Sequence, residues 1–203
     1  MRYLIFFFAA LFATPAMADI ELQFLLGSSG DAEFDKLEIK QGERNATVEG
    51  NDTDLESGVS VAAAFTFGKK DGFQLGPRIG LTFGEPDVDG GPEQKFRIID
   101  GGIWLRRQTS LDKKFGAFFG LGGGASYAHL ESDSDELPEL TGFGFHALIG
   151  AGIQVELQST TCTLGVYYSY HNIPEIEGKK DGRTVTMKDA TISQVMVGGG
   201  FTF

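Results

Sequence analysis

The chain has 203 residues, one cysteine and a formal net charge of −11. Such acidity makes nucleic acid a poor partner, because a phosphate backbone is held by neutralising Lys and Arg, and the single Cys162 excludes an intramolecular disulfide or a cysteine-built metal cage. The 29 glycines and 18 phenylalanines, with scarcely any helical periodicity, point to strands whose two faces differ in kind rather than to a packed Leu/Ile core.

Residues 1–18 start with Arg2, continue through an apolar run and end on Ala16-Met17-Ala18, the layout of a removable export leader. Its apolar middle is about a dozen residues, short of the roughly 20 that a helix needs to cross hydrocarbon. Cleavage after Ala18 leaves Asp19 as the first residue of one domain, 19–203.

Period-two segments then recur, each bounded by turn chemistry. Residues 20–26 set Ile20, Leu22, Phe24 and Leu26 on one face. Residues 59–67 set Val59, Val61, Ala63, Phe65 and Phe67 outward. After a turn at 69–72, residues 73–83 put Phe73, Leu75, Pro77, Ile79, Leu81 and Phe83 out, with Gln74, Gly76, Arg78, Gly80 and Thr82 in. The fourth strand, about 96–107, has Ile99, Gly101, Ile103 and Leu105 out and Asp100, Gly102, Trp104 and Arg106 in.

A turn at 109–114 leads to residues 115–129, with Phe115, Ala117, Phe119, Leu121, Ala125 and Tyr127 out over an inner row of Gly116, Gly120, Gly122, Gly124 and Ser126. Residues 143–157 repeat the pattern, Phe143 to Val155 out at odd positions and His146, Gln154 and Glu156 in. Beyond a tight turn at Gln158-Ser159, Leu164, Val166, Tyr168 and Tyr170 face away from Thr163, Tyr167, Ser169 and His171. The last strand, 190–203, carries Val195, Val197, Phe201 and Phe203 on its outer face and stops on that aromatic.

These eight strands are expected to form an antiparallel up-and-down transmembrane β-barrel. Backbone groups left unpaired in lipid cost several kcal/mol each, so the sheet must close on itself. The connections after strands two, four and six are short and those after one, three, five and seven longer and acidic, so both termini share the short-turn side. A soluble barrel would keep its apolar residues inside; here they stand opposite the Gly, Arg, Gln and Glu set.

With its leader, eight alternating strands, alternating short and long connections and terminal Phe203, the chain resembles the small outer-membrane barrels: the transmembrane domain of outer membrane protein A, the opacity proteins and the porin-family barrel domain proteins. The resemblance covers 19–203. It implies a bacterial outer-membrane location among lipid and lipopolysaccharide, and a terminal strand in which Val195, Val197, Phe201 and Phe203 are read by the barrel-assembly machinery. It names no activity.

Eight strands leave an interior that side chains can fill, and Arg78, Asp100, Trp104, Arg106, Phe118, Leu148, Gln154 and Glu156 are expected to fill it. Arg78 and Asp100 are expected to pair, since a buried charge without a partner is costly. A small-solute porin is the alternative with an open lumen. Some barrels of this size modify the acyl chains of lipid A, and the one nucleophile-and-base cluster on the inner face is Ser169, His171 and His146. Neither an orienting carboxylate nor a third metal ligand is evident beside the two histidines, so no catalytic, metal or cofactor site is assigned.

The loops 27–57 and 130–141 concentrate Asp and Glu into an acidic crown, a candidate for contact with a host or surface ligand. Within the first, 37–41 and 45–49 flank Gly42, and farther along 173–176 faces 183–187 across Gly178 to Gly182. Both could prolong hairpins above the membrane and leave a strand edge for a partner. The expected protein is a monomeric, non-enzymatic envelope or surface barrel.

Overall fold

In a computed structural model the described residues are 18–50, 52–68, 71–86, 94–112, 114–132 and 137–203, and every regular element among them is a strand. The expected leader, up to residue 17, and the acidic positions Asp133, Asp135 and Glu136 lie outside them. The strands are β1 (Ala18–Glu33), β2 (Lys36–Gln41), β3 (Arg44–Glu49), β4 (Asp52–Gly68), β5 (Phe73–Pro86), β6 (Gln94–Ser110), β7 (Phe115–Ser132), β8 (Leu140–Glu156), β9 (Thr161–Lys180) and β10 (Arg183–Thr202).

Eight of them make the ring expected from the periodicity: β1 pairs β4, each strand from β4 to β10 pairs the next, and β10 pairs β1. The seam is tied at its foot by Ile20 and Phe203, each of which donates its N–H to the other's carbonyl, at 3.2 and 3.0 Å. All pairings are antiparallel, so side chains alternate between the two faces of one closed wall. The outward set, Phe24, Val61, Phe65, Ile79, Ile103, Phe119, Ile149, Val166 and Phe201 among others, is exposed. Large apolar side chains on the outer face and Glu21, Arg78, Asp100 and Arg106 buried within are the polarity that a hydrocarbon solvent demands.

Two expectations are corrected above the belt. The segment 27–57 is not one acidic loop: β1 and β4 stay paired up to Glu33 and Asp52, and only β2 and β3 separate them. The last strand does not begin at Ala190, for β10 starts at Arg183 and pairs β9 down its length from a two-residue turn. That turn, Asp181-Gly182, has φ of 52° and 73°, the doubly left-handed geometry whose twist matches a hairpin. The β2–β3 hairpin leans on the upper part of β10, with Leu37 opposite Met187 and Ile39 opposite Val185.

The interior holds apolar layers as well as charge, with Trp104, Phe118 and Leu148 buried as expected. Leu55, Phe96, Ile98, Ala128, Ile173, Ile176, Ala190 and Ile192 form an apolar cluster at the loop end, with Ala32, Phe34, Leu130, Leu140 and Met187 packed on it. A second cluster, Leu25, Ala64, Trp104, Phe118, Leu148, Tyr167 and Met196, lies toward the short-turn end. Along β6 the inward order is Phe96, Ile98, Asp100, Trp104, Arg106, so the polar tier at Asp100 is sandwiched between apolar ones. The inner glycines accommodate the large side chains: a Cβ on Gly120 would lie 2.2 Å from Trp104, and one on Gly150 2.5 Å from Tyr167.

Candidate functional site: a buried polar tier

Arg78 of β5 and Asp100 of β6 meet at mid-lumen, Nη1 to Oδ1 2.5 Å, both almost wholly buried. They do not stand directly opposite. Asp100 faces Gly80, and Arg78 faces Gly102. With no side chain at Gly80, the carboxylate leans diagonally to the guanidinium; a Cβ there would be 2.6 Å from Asp100 Oδ2. Arg78 Nε also donates to Gln23 Oε1 (3.5 Å), and Gln23 Nε2 donates to Glu21 Oε1 (3.0 Å). Glu21 in turn pairs with Arg106 at 2.7 Å, so two compensated ion pairs are joined by one amide. That is how four charges are kept in a space without bulk water.

His146 of β8 and His171 of β9 are direct cross-strand partners, their ring centroids 5.8 Å apart. His146 Nδ1 is 3.3 Å from the carbonyl of Ala125, which can only accept, so this nitrogen carries the proton. Its Nε2 lies 3.6 Å from Asp100 Oδ1. The hydroxyl that meets His171 is Ser126 of β7, Oγ to Nδ1 2.9 Å. Ser169 borders the same small cavity together with Ser60, Thr82, Leu148 and Met196, and Thr82 donates to Ser60 at 3.1 Å. The cavity has room for about one water molecule.

The structure thus brings five of the lumen residues singled out in the sequence, Arg78, Asp100, His146, Ser169 and His171, into one tier. It corrects two points about them. A carboxylate does stand by the histidines, and it is Asp100; the hydroxyl on His171 comes from Ser126. The signal for both was the strand register: Asp100 is opposite Ser126 across β6–β7, and Gly124 is opposite His146 across β7–β8. Chaining the hairpins gathers the four residues. Among the described residues no group of three or more His, Cys, Asp or Glu has metal-holding geometry.

Chemically the tier can hold protons and charge in fixed places. A serine at hydrogen-bond distance from a histidine is half of a nucleophile arrangement, but apolar tiers lie above and below it. On the outer wall Val195, Val197, Phe201 and Phe203 are all exposed, together with Phe24, Leu22 and Ile20 across the seam.

No protein-family model matches the chain, and no curated protein matches it. Solved structures do. The outer membrane protein OprG from Pseudomonas aeruginosa aligns over 93% of this chain and 96% of its own, with a TM-score of 0.54 and 16% identity. The outer membrane protein AlkL, solved in lipid bilayers, aligns over 94% and 92%, with a TM-score of 0.53 and 10% identity. At these identities the likeness is one of fold. The chain has the fold of the bacterial outer-membrane β-barrels, and its exposed apolar belt is the face that such a fold turns to the bilayer.

Proposed function

We propose that this protein is a non-enzymatic outer-membrane barrel with a closed lumen, whose work is done by the strands raised above the membrane. The observation that carries the reading is the lumen itself: an apolar tier at the loop end, the Arg78–Asp100 pair below it, and beneath that Trp104, Phe118 and Tyr167 beside the Glu21–Arg106 pair. A passage for solutes would have to break both apolar clusters. The hairpin β2–β3 and the upper ends of β9 and β10, by contrast, rise at the loop end and interleave Glu38 and Lys40, Glu177 and Lys179, and Glu175 and Lys188 in exposed ion pairs. The outward residues of the seam and last strand, Val195, Val197, Phe201 and Phe203, are the surface offered to lipid and to the assembly machinery.

Planar-bilayer recording tests the closed lumen, which should pass no steady current; large, stable open states would favour the small-solute porin. A second reading, an acyl-modifying enzyme on lipid A, has one observation in its favour, the Ser126–His171 contact. Mass spectra of lipid A from cells with and without the protein should be identical. A mass change that disappears with Ser126→Ala or His171→Ala would replace our reading with the enzymatic one.

A further inference from the structure

Among the described residues strand β3 is the open end of the sheet: the strand order terminates on it, and all six of its residues are exposed. Its backbone polarity is fixed by the register with β2. Gly50 N donates to Asp35 O at 2.8 Å, continuing the β2–β3 register. Bonded positions alternate along an antiparallel pair, so 44, 46 and 48 turn their N–H and C=O to β2 while Asn45, Thr47 and Glu49 turn theirs outward. An apolar row also runs across the sheet to this edge. Ile176, Met187, Leu37 and Val48 are successive cross-strand neighbours, and the row ends on Val48, 52% exposed.

We infer that the β3 edge pairs with β3 of a second copy of this chain, antiparallel, with Thr47 on the two-fold axis. Outward residues must oppose outward residues, which leaves few registers. With Thr47 facing Thr47, Asn45 faces Glu49 and Ala46 faces Val48, so the apolar row of one copy runs into that of the other and no like charges meet. A shift one way sets Glu43 against Glu49, like charges in direct opposition. A shift the other way leaves only the end of the strand paired. The sequence of β3 is therefore self-complementary in one register.

The geometry also says where the second copy sits. β10 runs from the barrel wall to Arg183, its ladder with β9 skipping only Asp189, where φ is 51°, and resuming in the same register, and β2 lies along its upper part, so the raised sheet continues up from the wall. The two-fold axes of an antiparallel sheet are perpendicular to it and here run along the membrane plane. A half turn about such an axis inverts the barrel. The partner comes from a facing membrane, and within one membrane each barrel stays single.

This inference rests on reading the raised strands as the working surface. The test uses the full-length protein reconstituted into two populations of phosphatidylcholine vesicles, each with its own fluorophore on the protein, in a Cys162→Ser background. Opposed Thr47 residues would have Cα atoms about 5.5 Å apart, within disulfide reach. Thr47→Cys should give oxidised dimers that carry both fluorophores, whereas Asn45→Cys, four residues out of register, should give at least tenfold fewer. Thr47→Pro, which removes an outward N–H without touching the β2 ladder, should abolish clustering of the vesicles. Dimers confined to one population, equal yields at the two cysteine positions, or clustering unchanged by the proline would each overturn the inference. A current-carrying barrel would sink the closed-lumen reading and leave these results as they are.

Discussion

Arg78 and Asp100 show what a single residue contributes in this fold. Each neutralises the other in a layer with almost no water, so deleting one is worse than deleting both. Arg78→Met should destabilise the folded barrel by about 3–5 kcal/mol, and Arg78→Met/Asp100→Leu by clearly less, read from urea unfolding midpoints in vesicles. Gly80→Ala should also destabilise, since its Cβ would sit where the Asp100 carboxylate now rests. Ser126→Ala removes the hydrogen bond to His171 and should cost about 1 kcal/mol. At this scale the inward parity of Arg78, Asp100, His146, Ser169 and His171 was readable from alternation. The Arg78–Asp100 pair was readable as well, since the two inner faces of β5 and β6 leave no other way to neutralise both charges. Ser126 was not, because it reaches His171 from another hairpin, and only the relative register of three hairpins brings Asp100, Ser126 and the histidines together.

Strands and turns carry a second set of consequences. The β9–β10 turn places Asp181 and Gly182 at positive φ, where a Cβ-bearing residue is disfavoured by roughly 1–2 kcal/mol. Gly182 has open space around it, so Gly182→Val acts through the backbone alone. It should raise amide exchange in 176–187 without changing the barrel below. The 111–114 turn depends on Asp112, whose carboxylate accepts the N–H of Lys114 and of Phe115 at 2.6 and 2.8 Å. Those bonds hold its pKa below the usual carboxylate value. A lowered folded pKa contributes stability above the unfolded value, about 3.9, and loses it as pH falls through the folded one. The stability difference between the wild type and Asp112→Ala should therefore be constant near neutrality and shrink in acid. Strand identity was legible from period two wherever the outer face was apolar. It failed over 27–33 and 52–57, where Asp31, Glu33, Asp52 and Asp54 read as loop; the apolar members that hold those segments, Ala32 and Leu55, are too few to set up a period.

For the whole molecule, the belt and the closure of the ring follow from sequence, because a chain with apolar residues on alternate positions of eight strands has one way to satisfy its backbone in lipid. The layering of the lumen does not follow so directly. Ile98, Ile173 and Ile192 share the inner parity with Asp100, His171 and Gln194, and only their height along the strands separates the apolar cap from the polar tier. The single tryptophan reports on both claims at once. Trp104 is fully buried, facing inward in the lower tier, while its neighbour Ile103 faces out. In reconstituted protein, Trp104 fluorescence should be quenched little by brominated lipid and little by aqueous acrylamide, while Ile103→Trp in a Trp104→Phe background should respond strongly to the brominated lipid. Strong quenching of Trp104 by the lipid would invert the wall, and strong quenching by acrylamide would open the lumen to water.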